Sequence, residues 1–177
     1  MNQHGQFGKV KQWGFLVKDL DKAMAFWTET LGVGPWWGYR NVSLESTFKG
    51  ETNTVKMHVG LAFQNGVQIE LIQQTNDVRS PYSEFKQTDK EQVMHQIAYF
   101  APDIDDAVAR AKATGMSELG VCTNMLGQRY YYMSNDDLGD LVVELMEVDD
   151  GFVADYERCA KEAEQWDGSE PYRLISL

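Results

Sequence analysis

A chain of 177 residues, 43% hydrophobic and 12% aromatic, is long and apolar enough to bury a substantial core, and is not a disordered polymer. Its formal net charge of −11 argues against nucleic acid and against an anionic membrane surface as partners, since both repel an acidic protein. Cys122 and Cys159 lie far apart and outside any metal-binding spacing, which reads as free thiols in a reducing compartment. No apolar run approaches the roughly 18 residues of a bilayer span, and the N-terminal stretch lacks a signal-like core, so a soluble cytoplasmic protein is expected.

Val10 to Val17 reads as a strand, after which Asp19 caps a helix. In that helix Leu20, Ala23, Met24, Trp27 and Leu31 form one apolar stripe, stopped by Gly32 and Gly34-Pro35. A strand over Trp36–Leu44 follows, then a polar stretch read as a loop. Val55, Met57, Val59, Leu61 and Phe63 alternate with His58, Gly60 and Ala62, the period of a half-buried strand. Asn65-Gly66 is a hairpin signal leading into Val67-Gln68-Ile69-Glu70-Leu71. Residues 75–92, polar and interrupted by Pro81, read as a linker. Strand 94–100, helix 103–114 and strands near 117–123, 128–134 and 140–147 repeat the order of the first half. Phe152–Trp166 adds an amphipathic helix expected to pack on the domain or on a partner.

The two halves also match residue by residue. Gln12 aligns on Gln96, Asp19 on Asp103, Leu20 on Ile104, Asp21 on Asp105 and Ala23 on Ala107. Each half closes on a strand with one glutamate among apolar residues, Glu70 in the first and Glu144 in the second. The chain is therefore a duplicated βαβββ unit, with modules at 8–74 and 93–148 and a C-terminal helix and tail at 149–177. A repeated polar residue on the first strand and a repeated carboxylate on the last imply a two-fold site at the junction.

The stretches Val17-Lys18-Asp19-Leu20-Asp21-Lys22-Ala23-Met24-Ala25-Phe26-Trp27, Leu31-Gly32, Ile69-Glu70-Leu71, Ala101-Pro102-Asp103-Ile104-Asp105 and Leu141-Val142-Val143-Glu144-Leu145 resemble those of the vicinal oxygen chelate superfamily. That superfamily includes glyoxalase I, methylmalonyl-CoA epimerase, extradiol dioxygenases and bleomycin-resistance proteins, and the epimerase and glyoxalase-like branch looks most similar. The resemblance implies an α+β fold in which the modules form a cupped, partly closed mixed sheet with flanking helices. It also implies one divalent metal in the cup, held at positions that fall here on Gln12, Glu70, Gln96 and Glu144. Where relatives carry a histidine pair this chain has His95-Gln96, so the third ligand is Gln96, or His95 if a β-bulge turns it inward; strand alternation favours Gln96.

Two amides and two carboxylates make an all-oxygen shell suited to Mg or Mn; Ni or Zn would need His95, and a metal-free cup is the remaining option. Iron-dependent oxygen chemistry is not expected, because the two histidines of its facial triad are glutamines here. Glu70 and Glu144 can pass a proton to and from a carbon beside a carbonyl, so they are the candidate catalytic pair of an isomerase, epimerase or lyase. Gln12 and Gln96 would orient the substrate or complete a metal shell. His58, Tyr131 and Trp36 are further candidates for contacting a small substrate, expected to be apolar or ring-containing; Trp13 is expected in the core. No Lys/Arg cluster marks a phosphate site. The alternative reading is a metal-free protein of the bleomycin-resistance type that sequesters a hydrophobic ligand. Sheet edges and a terminal helix that need cover suggest a homodimer.

Overall fold

The computed structural model describes residues 5–177. Each half folds as the repeat requires: β1 (Gln12–Val17), α1 (Leu20–Leu31), β2 (Trp37–Phe48), β3 (Glu51–Gln64) and β4 (Val67–Gln74), then β5 (Gln92–Ala101), α2 (Ile104–Ala113), β6 (Ser117–Thr123), β7 (Arg129–Ser134) and β8 (Val142–Glu147). A C-terminal helix, α3 (Asp150–Glu164), and a two-residue strand, β9 (Ile175–Ser176), follow. Asp19, Asp103 and Asp149 each accept a hydrogen bond from a first-turn backbone N–H, so all three helices start on an aspartate cap. No helix among the described residues is long and apolar enough to cross a membrane.

The fold is α+β with one curved mixed sheet in the order β3-β4-β1-β5-β8-β7-β6-β2-β9, and β2 also pairs with β3. The modules join where β1 and β5 run antiparallel, with Gln12 opposite Ala98 and Gly14 opposite Gln96. They join again where the end of β2 pairs with β6, Glu45 to Phe48 against Thr123 to Gly120, so the cup closes into a barrel. The stretch expected as a polar loop after Leu44 is the tip of this long β2–β3 hairpin. Its turn is Lys49-Gly50, both at positive φ (48° and 82°), which matches the strands' twist; Asn65-Gly66 does the same between β3 and β4. Ser46 and Phe48 are buried in the second seam, a consequence of long-range pairing that local polarity does not encode. Gly120 is required there: a Cβ would lie 2.5 Å from the Thr47 carbonyl oxygen.

Alternation divides the strands between two cores. The outer face packs against Leu20, Met24 and Trp27 of α1, with Trp36 beneath, and against Ile104, Ala107, Val108 and Ala111 of α2. The inner face carries Leu16, Val55, Met57, Ile72 and Tyr132, joined by Tyr82 from the segment between β4 and β5. Two expectations fail here: Leu31, on the last helical turn, is exposed, and so is Trp13, whose side chain points away from the barrel where no helix covers it. The α3 helix closes one end of the barrel. Tyr156 anchors it, donating to the carbonyls of Lys11 (2.6 Å) and Gly66 (3.1 Å) and packing edge-on against Phe63 and Phe100.

Candidate functional site

Inside the barrel lies a cavity of about 520 Å³, within the range of small-molecule sites. Val42, Leu44, Met57, Val59, Leu61 and Ile72 form its apolar wall. Phe152, Tyr156 and Arg158 of α3 and Arg173 of the tail reach its mouth, where the guanidinium of Arg158 is held by Asp155 and Glu162, and that of Arg173 by Glu162. The deep polar end is made by Gln12, Gln68, Glu70, Glu144 and two tyrosines, Tyr82 and Tyr132.

The four repeat-equivalent residues meet at this end. Gln96 is fully buried on β5, and its Nε2 donates to Glu70 Oε2 (3.0 Å) and to Glu144 Oε2 (3.1 Å). Gln12 lies across from it. With its amide oriented to satisfy the carboxylates, Gln12 Nε2 donates to the same two oxygens, at 3.1 Å to Glu70 and 3.3 Å to Glu144. Two amides thus span two carboxylates in a closed ring of hydrogen bonds. Gly14 makes room for it: a Cβ at Gly14 would sit 2.4 Å from Gln96 Cδ, so only glycine lets the Gln96 side chain lie across β1.

His95 is the extra residue of a β-bulge, because Gly14 pairs with Gln96 while Phe15 pairs with Met94. The bulge turns the imidazole inward, against the expectation from regular alternation. It does not reach the carboxylates. Its ring packs against Tyr82 and Tyr132, Nδ1 faces Gln96 Oε1, and Nε2 lies 3.1 Å from the Pro81 carbonyl oxygen. Both ring nitrogens meet acceptors, which favours the charged ring, but burial outweighs this and holds the imidazole below its ordinary pKa.

Both carboxyls are pushed upward. Burial raises Glu144 to about 7, against the hydrogen bonds it accepts from Tyr132 and Gln96. Burial raises Glu70 well above the usual carboxylate range, the negative charge of Glu144 raises it further, and the Gln96 bond opposes both. Glu70 keeps some accessible surface where it lines the cavity, so its desolvation is less complete than that of Glu144. The pair therefore holds a proton near neutral pH, shared between two interacting sites.

As arranged, the site does not fit a metal. With the amides oriented toward the glutamates, one oxygen of each carboxylate (Oε2) accepts amide N–H groups, Gln96 Oε1 faces His95 rather than the glutamates, and His95 offers no free nitrogen to the centre. Among the described residues no three His, Cys, Asp or Glu side chains form a cluster that could hold an ion.

The other sequence candidates are placed differently from expectation. His58 is in the outward phase of β3 and accepts the Asn41 backbone N–H through Nδ1 (3.1 Å), outside the cavity lining. Tyr131 packs on the outer core beneath α2, and its neighbours Tyr130 and Tyr132 line the cavity instead. Trp36 is buried beneath α1 while Trp37 reaches the cavity. In each case the cavity-facing phase is one residue away from the one expected. Tyr82 had no periodic signal at all, coming from the segment read as a linker.

The family model described as the Glyoxalase/Bleomycin resistance protein/Dioxygenase superfamily matches residues 11–132. The chain belongs to this superfamily. Solved structures with the same architecture include a hypothetical protein from Bacillus halodurans C-125, at 15% identity and TM-score 0.58 over 80% of this chain and 95% of that one. Methylmalonyl-CoA epimerase from Mycobacterium tuberculosis aligns at 18% identity and TM-score 0.55, over 82% of this chain and 91% of its own. The Streptomyces coelicolor epimerase, in complex with 2-nitronate-propionyl-CoA, aligns at 18% identity and TM-score 0.52, over 78% of this chain and 95% of its own. At such identities the likeness is one of fold. No curated protein matches the chain by sequence.

Proposed function

We propose that the protein is a proton-transfer enzyme, an isomerase or epimerase acting at a carbon beside a carbonyl, with Glu70 and Glu144 as its catalytic pair. The observation that carries this reading is two buried carboxyls, bridged by the same amides, at the inner end of an apolar cavity. Burial and mutual repulsion keep one of them protonated near neutral pH while the other can ionise, which provides an acid and a base side by side. Glu144, whose ionised form is favoured by Tyr132, is the base. As it takes the proton, the C–H bond breaks and its electron pair moves into the carbonyl, giving an enolate. Glu70 then returns its own proton to the same or a neighbouring carbon. The pair is left with its proton on the other member, and exchange through the cavity mouth resets it. Gln12 and Gln96 hold the two carboxylates in register. No metal enters these steps.

The test is solvent-deuterium exchange followed by NMR, with 2-tetralone as a neutral cyclic ketone and methylmalonyl-CoA run in parallel because of the epimerase-like fold. Exchange with either substrate that disappears in Glu144→Gln supports the reading. Tight binding of a ketone that is recovered without exchange would favour the second reading, ligand sequestration, to which the apolar wall is equally suited.

A further inference from the structure

We infer that the Tyr82–Tyr132 pair is the oxyanion-binding element of this site, and that the site takes a neutral, ring-bearing carbonyl compound. This deepens the proton-transfer reading and rests on it. Tyr132 on β7 stands directly opposite Glu144 on β8, and both tyrosines line the cavity while being almost wholly buried. Their hydroxyls are 2.5 Å apart, with the rings at 5.7 Å and nearly perpendicular. Either hydroxyl can donate in this short contact; when Tyr82 donates it, the Tyr132 oxygen receives the bond and its own proton is left for an acceptor in the cavity. A phenol that receives such a bond is a stronger donor in turn, and in a dry site an oriented donor of this kind stabilises developing negative charge more than it would in water.

A substrate carbonyl seated at the deep end would accept the Tyr132 O–H. When the C–H bond breaks and its proton passes to Glu144, the charge left on the carbonyl oxygen is met by Tyr132, which keeps its own proton.

The same surroundings define the ligand. No unpaired cation among the described residues lines the cavity, because Arg158 and Arg173 are engaged by Asp155 and Glu162 at the mouth. An anionic group drawn into the deep end would face two carboxyls without a counter-charge. The wall is apolar or aromatic, and about 520 Å³ is ample for a multi-ring skeleton. The site selects an uncharged, hydrophobic carbonyl compound.

The probe is 2-naphthol, whose ring system and acidic oxygen copy the enol of 2-tetralone, with naphthalene as the control that lacks the oxygen. Fluorescence titration should show wild type binding 2-naphthol about tenfold or more tighter than naphthalene. Tyr132→Phe should erase this preference and leave naphthalene affinity unchanged, which also reports that the fold is intact; Tyr82→Phe should reduce it in part. In the exchange assay, Tyr132→Phe should lower kcat by a factor on the order of 100. No binding of 2-naphthol by wild type, or equal preference in wild type and Tyr132→Phe, overturns the inference. If Tyr132→Phe is silent while Glu144→Gln still abolishes exchange, the oxyanion role falls and the carboxylate pair stands. A Tyr132-dependent preference without exchange of any ketone would support the tyrosine pair as a recognition element and overturn the reaction.

Discussion

Replacing Glu144 with Gln should make the protein more stable as the pH rises, while removing its activity. A carboxyl raised on folding binds its proton more tightly in the native state than in the unfolded chain. Its favourable contribution is complete at low pH and is lost as the pH rises between the two pKa values. For Glu144 that window runs from its ordinary 4.5 to about 7. At about 1.4 kcal/mol for each tenfold, ionising this group in the barrel costs the wild type about 3 kcal/mol by pH 8 relative to pH 4. Glu70, raised in the same direction, extends the loss above pH 7. The amide that replaces the carboxyl can still accept from Gln96 and carries no charge to desolvate. Urea denaturation from pH 4 to 9 is the assay. The variant should match the wild type within about 1 kcal/mol near pH 4 and exceed it by about 3 kcal/mol at pH 8. Other titrating groups are common to both proteins and largely cancel in the difference, except Glu70, which is freed of the Glu144 charge in the variant and widens the gap further. A gap that does not grow with pH, or that changes sign, would mean Glu144 ionises freely in the folded state, and the acid–base assignment would lose its physical basis.

Gly14→Ala should destabilise the protein by about 1–3 kcal/mol in thermal unfolding and lower exchange activity, because the new methyl displaces Gln96 from the carboxylates; wild-type behaviour would show that the bridging position is not needed. Tyr156→Phe removes the hydroxyl that ties α3 to the Lys11 and Gly66 carbonyls and should cost about 1–2 kcal/mol; amide hydrogen exchange should show the loss concentrated in α3. Elemental analysis of protein purified without chelators should find no stoichiometric divalent metal, and exchange activity should persist in EDTA; one equivalent of Ni, Zn, Mn or Mg whose removal stops the reaction would mean the amides turn their oxygens inward.

Much of the architecture could be read from the chain because duplication writes each rule twice. The aspartate caps, the helical stripes and the Asn65-Gly66 turn are local signals, and apart from Leu31 at the end of the first stripe each formed where it was expected. The convergence of Gln12, Glu70, Gln96 and Glu144 was legible for the same reason: equivalent positions on first and last strands are brought together by parallel β1–β4 and β5–β8 pairing. What was not legible depends on distant contacts. The β2–β6 seam joins Ser, Thr and Glu residues with no local strand pattern to the other module. The strand phases of Tyr131 and Trp36 are settled by which face meets a helix. The His95 bulge lies in a mismatch between two strands far apart in sequence, and Tyr82 becomes part of the site only because the linker folds back over β5.

The two-fold pattern of the sequence hides the asymmetry that gives the two glutamates different roles. Glu70 and Glu144 are equivalent in the repeat, but their cross-strand neighbours are not: Glu144 faces Tyr132, and Glu70 faces Leu61. The tyrosine hydroxyl favours ionisation of one carboxyl, and the leucine offers nothing to the other. The glutamines diverge in the same way. Gly14 leaves space for Gln96 to cross β1, whereas its repeat equivalent Ala98, opposite Gln12, keeps a methyl group there. His95 backs Gln96, while its counterpart Lys11 lies over the rings of Phe100 and Tyr156. A symmetric pair of carboxyls would share a proton with no preference for either site. Gly14 and His95 fix Gln96, which serves both carboxyls alike, so it is Tyr132 that supplies that preference, and with it the separation into acid and base that directional proton transfer requires.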